Sequence, residues 1–286
     1  MTDEEGPALA RRLWARFESV HAVVYFHPAA LAALEDAGLR GFWRGYFAQR
    51  SAPLGPVGEA PVRASFFGFS TWMTARALPD VWDRASPAAV LAARHEGSAR
   101  ALEELLPDGS HDRLADDLWS LASALPCDGR VLAAANHALP RPEDPLQRLW
   151  LATTILREHR GDGHVAALLA AGLTGIESLV LRAGVDLERV VLQAARGWSD
   201  DEWSAAAAGL VERGLLHGDL TTSDDGKRLL SGIEETTDRL AWDGIVRAGG
   251  TVPDVRRLSD DLRPAALACH AVLPPAQPIG VLRIDG

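Results

Sequence analysis

Cysteine, lysine and strand-forming runs are scarce in this sequence, and each scarcity removes a class of protein. Cys127 and Cys269 are the two cysteines among 286 residues. They are too few and too far apart for a disulfide framework or a cysteine-rich zinc site, so both are expected as buried free thiols. Lys227 is the single lysine, and arginine carries nearly all the positive charge. Alongside abundant alanine, that usage reads as the coding bias of a GC-rich genome. The formal net charge of -10 opposes non-specific binding to nucleic acid or to an anionic membrane, because both need a basic surface. A local basic patch is still compatible with that total. No phosphate-binding loop, dinucleotide glycine motif, Gly-x-Ser-x-Gly elbow or paired-cysteine metal motif occurs, which sets aside the common nucleotide-dependent and hydrolase chemistries. No run reads as a signal peptide or a membrane span, so a cytoplasmic protein without membrane contact is expected.

What is present is helical patterning. The hydrophobic fraction of 47% with 24% charged residues is that of a globular chain long enough for two cores. Thr2 and Glu5 form a capping-box pattern ahead of Leu9, Leu13, Trp14 and Phe17, which share one helical face. Pro28 opens a second helix that Gly38 closes. The aromatic run Gly41 to Phe47 reads as core or pocket lining, and the chain must turn at Ala52 to Pro56. Further helices are expected over 60–69, from the Ser86 cap and Pro87 onward, and over 111–125. Pro140, Pro142 and Pro145 interrupt any helix and mark a linker.

The sequence therefore predicts a mainly α fold: a helical N-terminal domain (1–140), a helical and winged-helix-like domain (141–245), and an extended C-terminal tail (246–286) that packs on the body. A faint repeat, Ala32 to Gly41 against Ala166 to Gly175, raises a pseudo-symmetric duplication as an expectation. Trp72, Trp82 and Trp119 read as core anchors.

Arg157-Glu158-His159-Arg160-Gly161-Asp162-Gly163-His164 is the stretch densest in chemistry. It is expected at a helix-helix junction or a polar step in an interrupted helix, with Asp162 capping a new helix from Gly163. Arg157 and Arg160, with helix-start amides near Gly161 to Gly163, can bind a carboxylate or phosphate. Glu158 and Asp162 compete for the same arginines. His159 and His164 are the candidate acid-base residues. Their spacing of five differs from a helical i, i+4 zinc pair, so no metal or cofactor is assigned; a transition metal or heme through histidine is the minor alternative. The bland reading is a structural network of mutually satisfied charges. Tyr46 and Arg50, near Arg44 and Ser51 before the Pro-Gly turn, suit an amphipathic ligand and are expected to face the octet. His21, Tyr25 and His27, with Glu18 one turn earlier, read as satisfied core or surface groups.

Residues 187–196, the turn Gly197-Trp198 and a helix opened by Ser199-Asp200-Asp201-Glu202 follow the order of a helix-turn-helix. A short β-hairpin over 215–222 and a helix from Ser223 complete a winged-helix order. A DNA-reading helix offers Arg, Lys, Asn or Gln to base edges. Ser199 to Gly214 instead offers Asp200, Asp201, Glu202 and Glu212 against Arg213, so DNA binding is disfavoured and a scaffold or dimerisation role favoured.

The phrase Leu210-Val211-Glu212-Arg213-Gly214-Leu215-Leu216, with Thr222 to Lys227, resembles the corresponding part of MarR-type regulators. Over nearly its whole length the chain also resembles an actinobacterial family labelled SalK-like. The matching stretches are Tyr46 to Gly55, Arg76 to Trp82, Arg157 to His164 and Pro278 to Gly280. That resemblance implies a mostly helical fold of helix-turn-helix or winged-helix character and an occasional association with secondary-metabolite genes; it implies no reaction. Two functions stand open. The first is a small-molecule-binding protein, an enzyme or a ligand sensor. The alternative is a MarR-like, ligand-responsive DNA-binding regulator, for which the winged-helix analogy implies a homodimer.

Overall fold

The computed structural model describes residues 5–107, 109–185, 187–274 and Ile284. Thr2, Asp186 and Pro278 to Gly280 lie outside the described residues. Helix α1 (Glu5–Phe26) is buried along most of its length. Pro28 opens α2 (Pro28–Asp36), and His27 is its cap, Nδ1 accepting from the Ala29 amide at 3.3 Å. The aromatic run forms α3 (Phe42–Ser51), and Pro53 sits in the 3-10 turn Ala52–Leu54 behind it. Helix α4 (Glu59–Phe66) stops short of Phe69, because Phe67 takes φ 60 and ψ -57 in a γ-turn, the Gly68 amide donating to the Phe66 carbonyl at 2.7 Å, and a helix cannot continue through it. Two short helices follow, α5 (Thr71–Ala75) and α6 (Val81–Arg84). Ser86 then caps α7 (Pro87–Leu105) by accepting from the Ala89 amide at 3.2 Å. Helices α8 (Asp112–Ala122) and α9 (Val131–His137) lead to the proline-rich connector.

Asp144 and Pro145 start α10 (Pro145–Ala170), whose 26 residues span about 39 Å at 1.5 Å per residue. The polar octet is neither a junction nor a break; it lies inside this one continuous helix. The reason is tertiary packing. Gly161 and Gly163 each cost roughly 1 kcal/mol in a helix, and that cost is offset by packing on five neighbouring helices, α1, α7, α8, α9 and α14. A capping box of Thr174 and Glu177 opens α11 (Gly175–Ala183). Helices α12 (Arg189–Arg196) and α13 (Asp200–Glu212) are joined by a tight turn in which Gly197 has φ 74, and Ser199 and Glu202 close the expected capping box.

The hairpin expected next is reduced to a single antiparallel bridge, Leu216 to Thr222, with the His217 amide donating to the Thr221 carbonyl at 2.9 Å. Helix α14 (Asp224–Arg247) runs from the Ser223 cap. The segment expected as an extended tail contains α15 (Val252–His270), opened by a capping box of Thr251 and Asp254 and laid along α1. Proline misleads there: Pro253 sits in the first turn, where no amide is needed.

Three apolar clusters organise these helices. The largest joins Leu13, Val20, Trp150, Ile155, Leu258 and Leu262. It draws on both sides of the proline-rich connector, so that connector links two stretches of one core. The second gathers Phe47, Phe66, Phe69 and Leu132, and the third Leu181, Leu192, Trp203, Leu210 and Ile233 beneath the α12–α13 pair. Trp72 is no core anchor: it is 62% exposed, under the guanidinium of Arg76 at 4.8 Å. Both thiols are free, Cys269 buried and Cys127 half-buried. Among the described residues no single helix is long and apolar enough to cross a membrane.

Candidate functional site

A cavity of about 930 Å³ opens between the three clusters, with walls from α1, α3, α4, α10, α11, α12 and α14. Its apolar side is aromatic. Tyr46 is the hub, with Tyr25, Trp43 and Phe69 ring centroids at 5.2, 5.6 and 5.6 Å. These are the distances of offset and edge-on aromatic packing. The polar side is cationic. Six arginines and Lys227 line the cavity against three glutamates, a reversal of the whole chain's net charge of -10. Three guanidinium groups lie over aromatic faces: Arg50 over Phe66 at 4.1 Å, Arg160 over Trp14 at 4.1 Å and Arg196 over Phe69 at 4.4 Å.

The octet supplies this wall from one face of α10 only. Arg157, Arg160, Gly161 and His164 line the cavity. Glu158, 1% exposed, stands just behind and organises the cations. Arg50 donates to it through Nε and Nη2 at 2.9 and 3.0 Å, and Arg157 through Nη1 at 2.9 Å. Burial alone would raise the Glu158 carboxyl; Arg157 and Arg50 outweigh it and hold the group well below the usual carboxylate range. Arg50 faces the octet through this fork, and its Nη1 donates to the Tyr46 hydroxyl at 3.4 Å on the same cavity wall. Arg160 donates to Glu234 and Asp238 of α14 at 3.0 and 2.8 Å.

The two histidines separate. His159 projects from the other face of α10, where Nε2 donates to the Pro126 carbonyl at 3.2 Å and the ring presses on Gly244 of α14. Burial, reinforced by Arg130, pushes it down to about 3. That is a neutral packing residue at a helix crossing, so the acid-base role read for it from sequence does not fit its position. Asp162 shares that face. It accepts from the Ala133 amide at 2.9 Å, so it serves the first turn of α9 rather than starting a helix of its own, and burial raises it to about 6.

His164 does line the cavity. Thr237 commits its hydroxyl proton to the Ile233 carbonyl at 2.8 Å, so it accepts from His164 Nδ1 at 3.0 Å, and Nε2 of His164 carries the lone pair. Burial lowers this imidazole to about 4. Among the described residues no group of three His, Cys, Asp or Glu side chains could hold a metal ion.

A second polar path reaches the cavity at Tyr25. Thr154 donates to the Trp150 carbonyl at 2.9 Å, so it accepts from His21 Nδ1 at 2.9 Å; His21 Nε2 is then the acceptor for the Tyr25 hydroxyl at 2.9 Å. Burial holds both groups neutral, lowering His21 and raising Tyr25, with Arg157 acting to lower each. The pair is a fixed phenol-imidazole hydrogen bond at the cavity wall, more specific than the core role that sequence assigned to it.

Sequence reading missed Trp14, Phe66, Phe69, Arg182 and Arg196, all of which line the cavity. Arg196 is the last residue of α12, and its backbone carbonyl accepts from the Ser70 amide at 3.0 Å. Ser70 Oγ donates to the Gly197 carbonyl at 2.6 Å, and Trp198 Nε1 donates to the Gly68 carbonyl at 2.9 Å. The turn between α12 and α13 is thereby fastened to the loop between α4 and α5.

Two helices joined by a glycine turn, set in an all-helical body, define a helix-turn-helix protein. The chain belongs to a helix-turn-helix family, whose model matches residues 10–274. No curated protein and no solved structure matches it.

Proposed function

We propose that this protein is a small-molecule-binding member of its family, and that the cavity takes an amphipathic organic anion. The observation that carries the reading is the charge reversal: an acidic chain gathers six arginines and a lysine around aromatic walls in one concave site. Such a site rewards a ligand with an apolar body and a negative group. The resemblance to SalK-like proteins supports a ligand drawn from secondary metabolism, with the protein acting as its sensor or as an enzyme on it.

The second reading, a MarR-like regulator that binds DNA in response to ligand, draws on family membership and on the α12–α13 turn. The outer face of α13 opposes it. Asp200, Asp201, Glu202, Ser204, Ala205, Ala208 and Glu212 are exposed there, and none is a base-reading cation or amide.

Thermal unfolding with a panel of aromatic carboxylates, run beside mobility shifts on genomic fragments at low salt, separates the two. Ligand at about 100 times its Kd adds roughly 2.7 kcal/mol to stability and raises Tm, and no fragment is preferred. A panel without effect, together with salt-sensitive retention of particular fragments, would move the assignment to the regulator.

A further inference from the structure

We propose that Arg196 is the anchor for the ligand's negative group and that the ligand is a multi-ring aromatic monocarboxylate seated against Tyr46 and Phe69. The α12–α13 pair is thereby a wall of a ligand site rather than a DNA reader. This rests on the ligand-binding reading above and gives it a chemical class.

Arg11 and Arg160 have Glu234 and Asp238, Arg50 has Glu158, Arg157 has Glu18 and Glu158, and Lys227 has Asp224. Arg196 differs. Among the described residues its guanidinium has no carboxylate and no hydrogen-bond acceptor; its one close partner is the face of Phe69. Its charged neighbours are Arg50, Arg157 and Arg182, and burial together with these three lowers its affinity for its proton. Arg196 is half-buried, and a guanidinium held in a wall of like charges without a counter-ion is costly; the cost is relieved when an anion enters with matching hydrogen-bond acceptors.

Position turns that vacancy for charge into a binding site. Arg196 is held at its backbone by Ser70 and at its plane by Phe69, so little side-chain freedom is lost on binding. A planar guanidinium fork matches a carboxylate in a bidentate fashion. One uncompensated cation balances one negative charge, which favours a carboxylate over a phosphate dianion. The body of the ligand follows from the wall it meets. Tyr25, Trp43, Tyr46 and Phe69 present ring faces and edges at stacking distances from one another, geometry that a planar aromatic system extends.

The α12–α13 turn explains why a helix-turn-helix supplies this residue. Gly197 takes φ 74, and a Cβ there would come within 2.6 Å of Met73 Cβ, so the turn sits flush on α5. The turn and the end of α12 face inward, and α13 leaves an acidic face outside.

The test uses naphthalene-2-carboxylate and its uncharged isostere naphthalene-2-carboxamide, titrated into the full chain at pH 7.5 with tryptophan quenching as the readout, since Trp14 and Trp43 line the cavity. Wild type binds the carboxylate at least about tenfold more tightly than the carboxamide. R196Q, checked for folding by circular dichroism, binds both alike, with the carboxylate weakened about tenfold or more. R196K restores part of the preference.

Equal affinity of wild type for the two compounds overturns the anchor and leaves a cavity that binds apolar bodies. A preference that survives in R196Q also overturns it. Should R196Q not fold, the wild-type ratio and R196K decide. Binding of neither compound to wild type rejects the ligand reading itself, and the anchor with it.

Discussion

The outer face of α13 and the cavity face of α12 belong to one helix-turn-helix and carry opposite charge. Outside, Asp200, Asp201 and Glu202 stand exposed in the first turn of α13, where acids favour the helix dipole and close the Ser199 capping box. Inside, Arg196 ends α12 among arginines and aromatic rings. Exposed acids are cheap to keep and repel phosphate; a half-buried cation crowded by like charges is expensive to keep without an anion. The order of a motif and the chemistry of its faces are therefore separate matters. Here the order is that of a helix-turn-helix, while its outer face is acidic and its inner end is cationic and aromatic.

The largest effect is expected at Glu158. Changing it to glutamine leaves Arg50 and Arg157 buried without their shared carboxylate, so E158Q loses about 3–5 kcal/mol of stability, read as a lower urea midpoint. A loss below about 1 kcal/mol would mean that the cavity charges are solvated and the contrast between faces is false.

Acid sharpens the same point. His21 and His159 are buried and His95 and His164 half-buried; all four are neutral, with His95, His159 and His164 pushed down to about 3, 3 and 4 and desolvation the largest cause in each. In the unfolded chain each takes up a proton near pH 6.5, and in the folded chain only at lower pH. Their contribution is therefore intact above about pH 6.5 and is lost as pH falls toward 4, by roughly 1.4 kcal/mol per pH unit for each unmatched proton. Asp162, raised to about 6, acts in the opposite sense over part of that range. Urea midpoints should fall from pH 7 to pH 5; a flat profile would show that these rings are hydrated.

Gly197→Ala forces a Cβ into a left-handed position against Met73. It should cost more than about 1 kcal/mol and weaken binding of naphthalene-2-carboxylate by displacing Arg196. Ser199→Ala removes the cap of α13 and should cost about 1 kcal/mol with ligand affinity unchanged. The smallest effect is expected at Asp201→Asn, within about 0.5 kcal/mol and without effect on the ligand. An Asp201→Asn variant that gained sequence-specific DNA binding would show that the outer face is a reading surface held off by charge.

Much of the fold was legible because its signals are local. Ser86 with Pro87, Asp144 with Pro145, Ser199 with Glu202, and Gly197 each specify a helix end within four residues, and each stands where sequence placed it. The octet misled because Gly161 and Gly163 look like a break, and only packing on five helices shows why α10 continues through them. Pro253 and Pro264 likewise concealed α15.

The site was legible in part. Arg157, Arg160, His164, Tyr46 and Arg50 were named from composition, and they do meet at one cavity. Helical geometry then divided the octet, since 3.6 residues per turn cannot place His159, Asp162 and His164 on one face. Arg196 was invisible. It is an ordinary basic residue at a helix C-terminus, and what sets it apart is that no carboxylate among the described residues pairs with it, which no linear pattern records.

The most direct measurement is a crystal structure of the full chain grown with naphthalene-2-carboxylate. The rings are expected against Tyr46 and Phe69, with a carboxylate oxygen about 2.8 Å from the Arg196 guanidinium. A cavity that stays empty at saturating ligand, or a carboxylate directed to solvent away from Arg196, would contradict it.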